Sequence, residues 1–182
     1  RELRAMLGDR FDVRSMREMG VEADVEETGE TFEENALIKA RALMQLTGCA
    51  TLADDSGLCV DALGGRPGVY SARFCGVHGD DEANNDLLLK EMDAVPDEQR
   101  GAHYGCALAL CRPGHADMTV YGRCDGRILR ARDGEGGFGY DPLFWSDDLQ
   151  MSFGQADAES KNRISHRARA IEALIRALEA EA

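Results

Sequence analysis

The run from Ala102 to Cys111, AHYGCALALC, is apolar at both parities: Cys106, Leu108 and Leu110 fall on one face of an extended chain, and Ala107, Ala109 and Cys111 on the other. Side chains alternate across a strand, so a strand of this kind needs cover on both sides. The residues after it, through the turn RPGHAD and on to TVYGRCDGRIL, read as a second strand of a hairpin with a further bend at CDG. CATLA, residues 49–53, is a further short buried strand that leads into a turn at Asp54, Asp55, Ser56 and Gly57, and GGRPG is a breaker.

Helical periodicity supplies the cover. Thr31 and Glu34 stand in capping-box spacing, Leu37, Ala40, Leu43 and Met44 repeat on one face, and Gly48 is a stop, which predicts a helix over about 32–47. DDEANNDLLLKEM reads as another helix that ends near Pro96. Ser165 caps a third, with Ala168, Ile171, Leu174, Ile175 and Leu178 as its apolar face, and Leu3, Met6 and Leu7 are spaced for a helix at the start of the sequence. Strands alternate with helices around an inserted hairpin, so the expected class is α/β or mixed α+β with a central sheet.

The 182 residues suffice for one sizeable core. A net charge of −13 disfavours binding to polymeric nucleic acid, which depends on Lys and Arg neutralising phosphates. An acidic protein still accepts a single nucleotide when a divalent metal bridges the charges. No apolar run is long enough for a membrane helix, so no membrane partner is expected. The six cysteines contain no CxxC pair and read as reduced packing residues of a cytoplasmic protein.

Four stretches carry candidate chemistry. Asp54 and Asp55 are adjacent carboxylates at a strand end, and such a pair calls for a cation or a proton; solvated side chains of a turn are the plainer explanation. Glu26 or Glu27 of the acidic loop DVEETGE would complete an oxygen site for Mg²⁺, which prefers one or two carboxylates with waters and phosphate oxygens. Asn35 and Lys39 share a helix face four residues apart. In GGFGYDP, glycines permit close approach to a flat ligand, Phe138 or Tyr140 offers a stacking ring, and Asp141 accepts from ring or sugar donors. Lys161, Arg163, His166 and Arg167 crowd a helix N-terminus, where cations oppose the helix dipole and so suggest an anionic ligand.

TFEENALIKA, ADDSGLCVDALGGRPGVYSAR, GGFGYDPLF and SHRARA, in this order and at these separations, closely resemble the Ham1-like inosine triphosphate pyrophosphatase family, in its bacterial dITP/XTP branch. The resemblance runs from Arg1 to about Leu178. It implies an elongated mixed sheet flanked by helices, with two lobes around a cleft, and usually a homodimer. The implied activity is Mg²⁺-dependent hydrolysis of ITP, dITP or XTP to the monophosphate and pyrophosphate. Carried over residue by residue, Asp55 matches the proton acceptor and metal ligand, Glu26 the second metal ligand, and Ser56 a substrate contact. Phe138, Gly139, Tyr140 and Asp141 match the base-and-sugar loop; Lys161, His166 and Arg167 match the C-terminal substrate residues; Asp54 and Lys39 lie near the phosphates.

On this basis the paired aspartates hold the metal and an activated water together. Relatives begin with a strand and a loop reading T-x-N-x-x-K, which residues 1–182 do not contain. The expectation is a single domain over 1–182 without that segment, carried in a longer protein; the alternative is a catalytically impaired purine-nucleotide-binding protein.

Overall fold

The computed structural model describes residues 11–181 together with Arg4 and Leu7. Arg4 and Leu7 are helical, while Leu3 and Met6, the other residues of the expected first helical face, lie outside the described residues. The described elements run α1 (Phe32–Thr47), β1 (Thr51–Val60), α2 (Asp81–Glu91), β2 (Gly101–Cys111), β3 (Met118–Ile128), β4 (Phe144–Ser146), β5 (Met151–Ser152), α3 (Ala158–Ile164) and α4 (His166–Ala180). The strands form one sheet in the order β1-β2-β3-β4-β5. Every ladder among the described residues is antiparallel. The parallel pairs that a mixed sheet would add are therefore not among them. Antiparallel neighbours need only a short connection, as between β2 and β3, whereas a parallel pair needs a long crossover.

The two-faced β2 is buried as its composition requires. On one face Cys106, Leu108 and Leu110 pack with Ala170, Ile171 and Leu174 of α4. On the other, Ala107, Ala109 and Cys111 meet Phe32, Ala36 and Ala40 of α1. The small side chains on that second side allow α1 to lie close to the sheet. A third cluster, with Leu58, Val60, Tyr104, Phe144 and Phe153 at its centre, fills the far end of the sheet beneath the Gly-rich loop.

Helix α1 has the expected bounds. The Thr31 hydroxyl accepts from the Glu34 N–H at 3.1 Å, and Gly48 closes the helix at φ 67°. Two expected breaks are absent. β1 does not end at Asp54 but continues through Asp54, Asp55, Ser56 and Gly57 to Val60, paired residue for residue with β2. β3 likewise passes through Cys124, Asp125 and Gly126 without bending out of the sheet. In both places ten or more consecutive pairings with β2 outweigh local turn propensity. Arg100, 3% exposed, gives its guanidinium to the carbonyls of Met92, Val95, Ile128 and Leu129, tying the end of α2 to the end of β3.

Candidate active site

Because β1 is straight through the aspartates, period-two alternation sends Asp54 and Asp55 to opposite faces of the sheet. Asp55 faces α1: Asn35 Nδ2 donates to its Oδ2 at 3.1 Å, and Lys39 Nζ lies 3.5 Å from its Oδ1. Asp54 faces α4, where Arg167 reaches its Oδ2 at 2.9 Å. The expectation that the two carboxylates act side by side is corrected on this geometry. Neighbours in sequence, they belong to different side-chain clusters.

The Asp55 cluster includes a carboxylate from the acidic loop. Lys39 Nζ is 3.1 Å from Glu27 Oε1, so one ammonium lies between Glu27 and Asp55. Asn35, 2% exposed, braces the arrangement by accepting the Gly29 N–H on Oδ1 at 2.7 Å while donating to Asp55. Of the two alternatives Glu26 and Glu27, the residue that turns inward is Glu27; Glu26, matched through the family resemblance, is exposed. Across 21–30, Val21, Ala23, Val25, Glu27 and Gly29 are partly buried and the intervening residues are exposed. That parity was readable in the apolar residues and singles out Glu27. Burial raises the Asp55 carboxyl above its ordinary value, Lys39 and Asn35 oppose the rise, and the Glu27 charge adds to it.

These groups suit a hard divalent cation. No group of three or more His, Cys, Asp or Glu positioned to hold a metal occurs among the described residues. Mg²⁺ does not require one, since water and substrate phosphate complete its octahedron. Glu27 and Asp55 already converge on a cationic nitrogen, and both offer oxygen ligands.

A second cluster is built on the Gly-rich loop. Asp141, 1% exposed, accepts the Phe138 N–H on Oδ2 at 2.9 Å, pairs with Lys161 through the same oxygen, and accepts the Tyr104 hydroxyl on Oδ1 at 3.3 Å. Gly137 has φ 78°, and a Cβ there would come within 2.8 Å of Asp141 Cγ, so the tight loop demands glycine. Tyr140 is 4% exposed and donates to the Ser71 carbonyl at 2.7 Å. Both differ from the sequence reading: Asp141 and Tyr140 are committed internally, and the ring open to a ligand is Phe138, 69% exposed with Lys161 Nζ 4.4 Å from its centroid. Gly139 is gripped by α2, its N–H donating to Asp81 at 2.8 Å and its carbonyl accepting from Asn85 at 2.9 Å.

The start of α4 completes the site. The Ser165 hydroxyl caps the helix by accepting from Ala168 N–H at 3.1 Å, which presents His166 and Arg167 in its first turn. The His166 ring lies nearly parallel to Tyr104, 5.1 Å between centroids, and burial with the nearby Arg167 and Lys161 charges pushes it down to about 4. It is a neutral imidazole at physiological pH. Lys161 sits on the separate helix α3, which the sequence did not reveal. Ser56 is half-buried on the Asp54 side of β1, opposite Cys106. Tyr104, Asp81 and Asn85 escaped the sequence reading; their partners are distant in the chain and no motif marks them.

The structure is a central antiparallel sheet with a carboxylate–lysine cluster on one face and a cationic helix start on the other, and relatives give it a family. The chain belongs to the Ham1 family, whose model matches residues 1–177. It is 51% identical to a dITP/XTP pyrophosphatase of Pseudomonas syringae pv. tomato, over 94% of this chain and 87% of that protein. It is 49% identical to the dITP/XTP pyrophosphatase of Bacillus licheniformis, over 96% and 89%. The Staphylococcus aureus Ham1 protein superposes with a TM-score of 0.92 at 39% identity, covering 100% of this chain and 93% of that one. A nucleoside-triphosphatase / dITP/XTP pyrophosphatase from Mycobacterium abscessus gives 0.82 at 46% identity, covering 95% and 91%.

Proposed function

We propose that this protein hydrolyses deaminated purine nucleoside triphosphates, ITP, dITP and XTP, to the monophosphate and pyrophosphate. The observation that carries the reading is the convergence of Asp55 and Glu27 on the Lys39 ammonium. The naming of its relatives as dITP/XTP pyrophosphatases supports it.

Asp55 and Glu27 are the residues that would hold Mg²⁺. When bound, the ion neutralises charge on the triphosphate and makes a coordinated water more acidic. Asp55 accepts the proton of the water that attacks the α-phosphorus; the bond from that phosphorus to the bridging oxygen of the β-phosphate breaks, and pyrophosphate leaves. Lys39 exchanges its carboxylate contacts for phosphate oxygens, and Asn35 keeps Asp55 oriented. Glu27 thus takes the second ligand position that the family resemblance matched to Glu26.

On the opposite side Phe138 stacks on the base and Lys161 supports that ring from its other contacts. His166 and Arg167 read the base edge. A donor aimed at position 6 satisfies the oxygen of hypoxanthine or xanthine and is left unpaired by the amino group of adenine. Arg167, held by Asp54, is thereby fixed in direction. In this reading the enzyme works in the cytoplasm as a homodimer on free nucleotides; its net charge of −13 is poorly suited to polymeric nucleic acid. No helix among the described residues is long and apolar enough to cross a membrane.

The test is product analysis with Mg²⁺ and, separately, ITP, XTP, GTP and ATP. Monophosphate with pyrophosphate from ITP and XTP, and little from ATP or GTP, is expected. Orthophosphate as the first product, or equal turnover of ATP, would overturn the reading.

A further inference from the structure

We propose that Tyr104 is a positioning residue for base recognition, its hydroxyl orienting Asp141 beneath the Gly-rich loop while its ring carries His166. The inference rests on the assignment of this region to the purine base. Tyr104 stands on β2 between the two base-facing elements and touches both.

Asp141 Oδ2 has two donors, Phe138 N–H and Lys161. Oδ1 has the Tyr104 hydroxyl as its donor among the described residues. With the carboxylate 1% exposed, loss of that hydroxyl leaves Oδ1 without a donor among the described residues, and the carboxylate, then held through Oδ2 alone, turns more easily about its bond to Cβ. Rotation would loosen the hold on the Phe138 N–H and on Lys161, and through them the placement of the exposed Phe138 ring and its ammonium. Burial and the Asp141 charge keep the phenol protonated far above neutral pH, so it is a permanent donor.

The ring has a separate role. It lies 15° from parallel with His166 and 8° from parallel with Phe153, at 5.1 and 5.9 Å between centroids, with Phe144 tilted against it at 4.7 Å. Phe144 and Phe153 are fully buried, so the platform under His166 is rigid. A single strand residue thus holds the distance between the loop that stacks on a base and the imidazole that reads its edge.

The test is Tyr104→Phe, which keeps the ring and removes the hydroxyl. Two readouts are needed: hydrogen exchange of the Phe138 amide in the ligand-free protein, and KM and kcat for ITP. Exchange at Phe138 should rise about 3- to 10-fold, and KM should rise by a similar factor with kcat within about twofold, the range expected for the net contribution of one ordinary hydrogen bond. In an Asp141→Asn background the added Tyr104→Phe change should have little further effect on either quantity, because the shared interaction is already altered. Unchanged exchange at Phe138 overturns the proposal. Faster exchange with an unchanged KM, in an enzyme that turns ITP over, also overturns it and leaves Tyr104 a packing residue. If the unaltered protein fails to turn ITP over, the nucleotide reading falls and takes base recognition with it, while the exchange result still decides whether Tyr104 orients Asp141.

Discussion

Lowering the pH should destabilise this fold through His166, and the size of the effect follows from its surroundings. The imidazole lies against Tyr104, its Nδ1 is buried without a hydrogen-bond partner among the described residues, and its nearest charges include the cations Arg167 and Lys161, with Asp54 the opposing anion. Burial is the largest cause of the fall from 6.5 to about 4, the two cations add to it, and Asp54 opposes it. The unfolded chain therefore binds a proton on this ring at a pH where the folded protein does not. The stabilisation from a neutral His166 is complete above the unfolded value and is lost as pH falls from about 6.5 towards 4. At pH 5 the loss is about 2 kcal/mol, from 1.36 kcal/mol per unit, approaching about 3 at lower pH.

Urea unfolding at pH 8 and pH 5 measures the effect, with His166→Gln as the reference, because every other acid-sensitive group is common to both proteins. Unaltered protein should lose about 2 kcal/mol more than His166→Gln between the two conditions. An imidazole Cε1 proton resonance that titrates near 4 would agree. Parallel losses in the two proteins, or a resonance midpoint above 6, would refute the reasoning.

The opposite facing of the paired aspartates separates their expected roles. Asp55→Asn should lower kcat for ITP by about 10²- to 10⁴-fold, with the fold retained by circular dichroism, because it removes the proton acceptor. Asp54→Asn should cost no more than about 1 kcal/mol of stability, since its pair with Arg167 is about 40% exposed on both sides, and should act mainly on KM. Equal kcat losses in the two variants would argue against the separation. Gly122→Ala adds a Cβ that would collide with the His166 carbonyl and Ala170 backbone, so α4 must shift; a loss of about 1–3 kcal/mol in denaturant, with a raised KM, is expected.

Local patterns settled a good deal about this protein from the sequence alone. The two apolar parities of β2 required cover on both faces, and α1 and α4 provide it. The Thr31 and Ser165 caps and the Gly48 stop act on neighbours within four residues, so their outcome was readable without the fold. The sequence reading leaves the choice between Glu26 and Glu27 open, although Val21, Ala23 and Val25 carry the parity that turns Glu27 inward.

What tertiary structure decided concerns contacts that local periodicity does not encode. Whether Asp54 and Asp55 formed a turn or lay within a strand depended on pairing with residues 107 and 108, and that pairing sent them to opposite faces. Asp141 and Tyr140 have motif spacing suited to a ligand, yet their polar atoms are taken by Tyr104, Phe138, Lys161 and Ser71. A buried carboxylate or phenol must find partners wherever the fold supplies them, and Tyr104 lies 37 residues from Asp141. The types of residue near the site were therefore legible in the chain, while which of their atoms remained free for a ligand was determined by the packing of strands and helices distant in sequence.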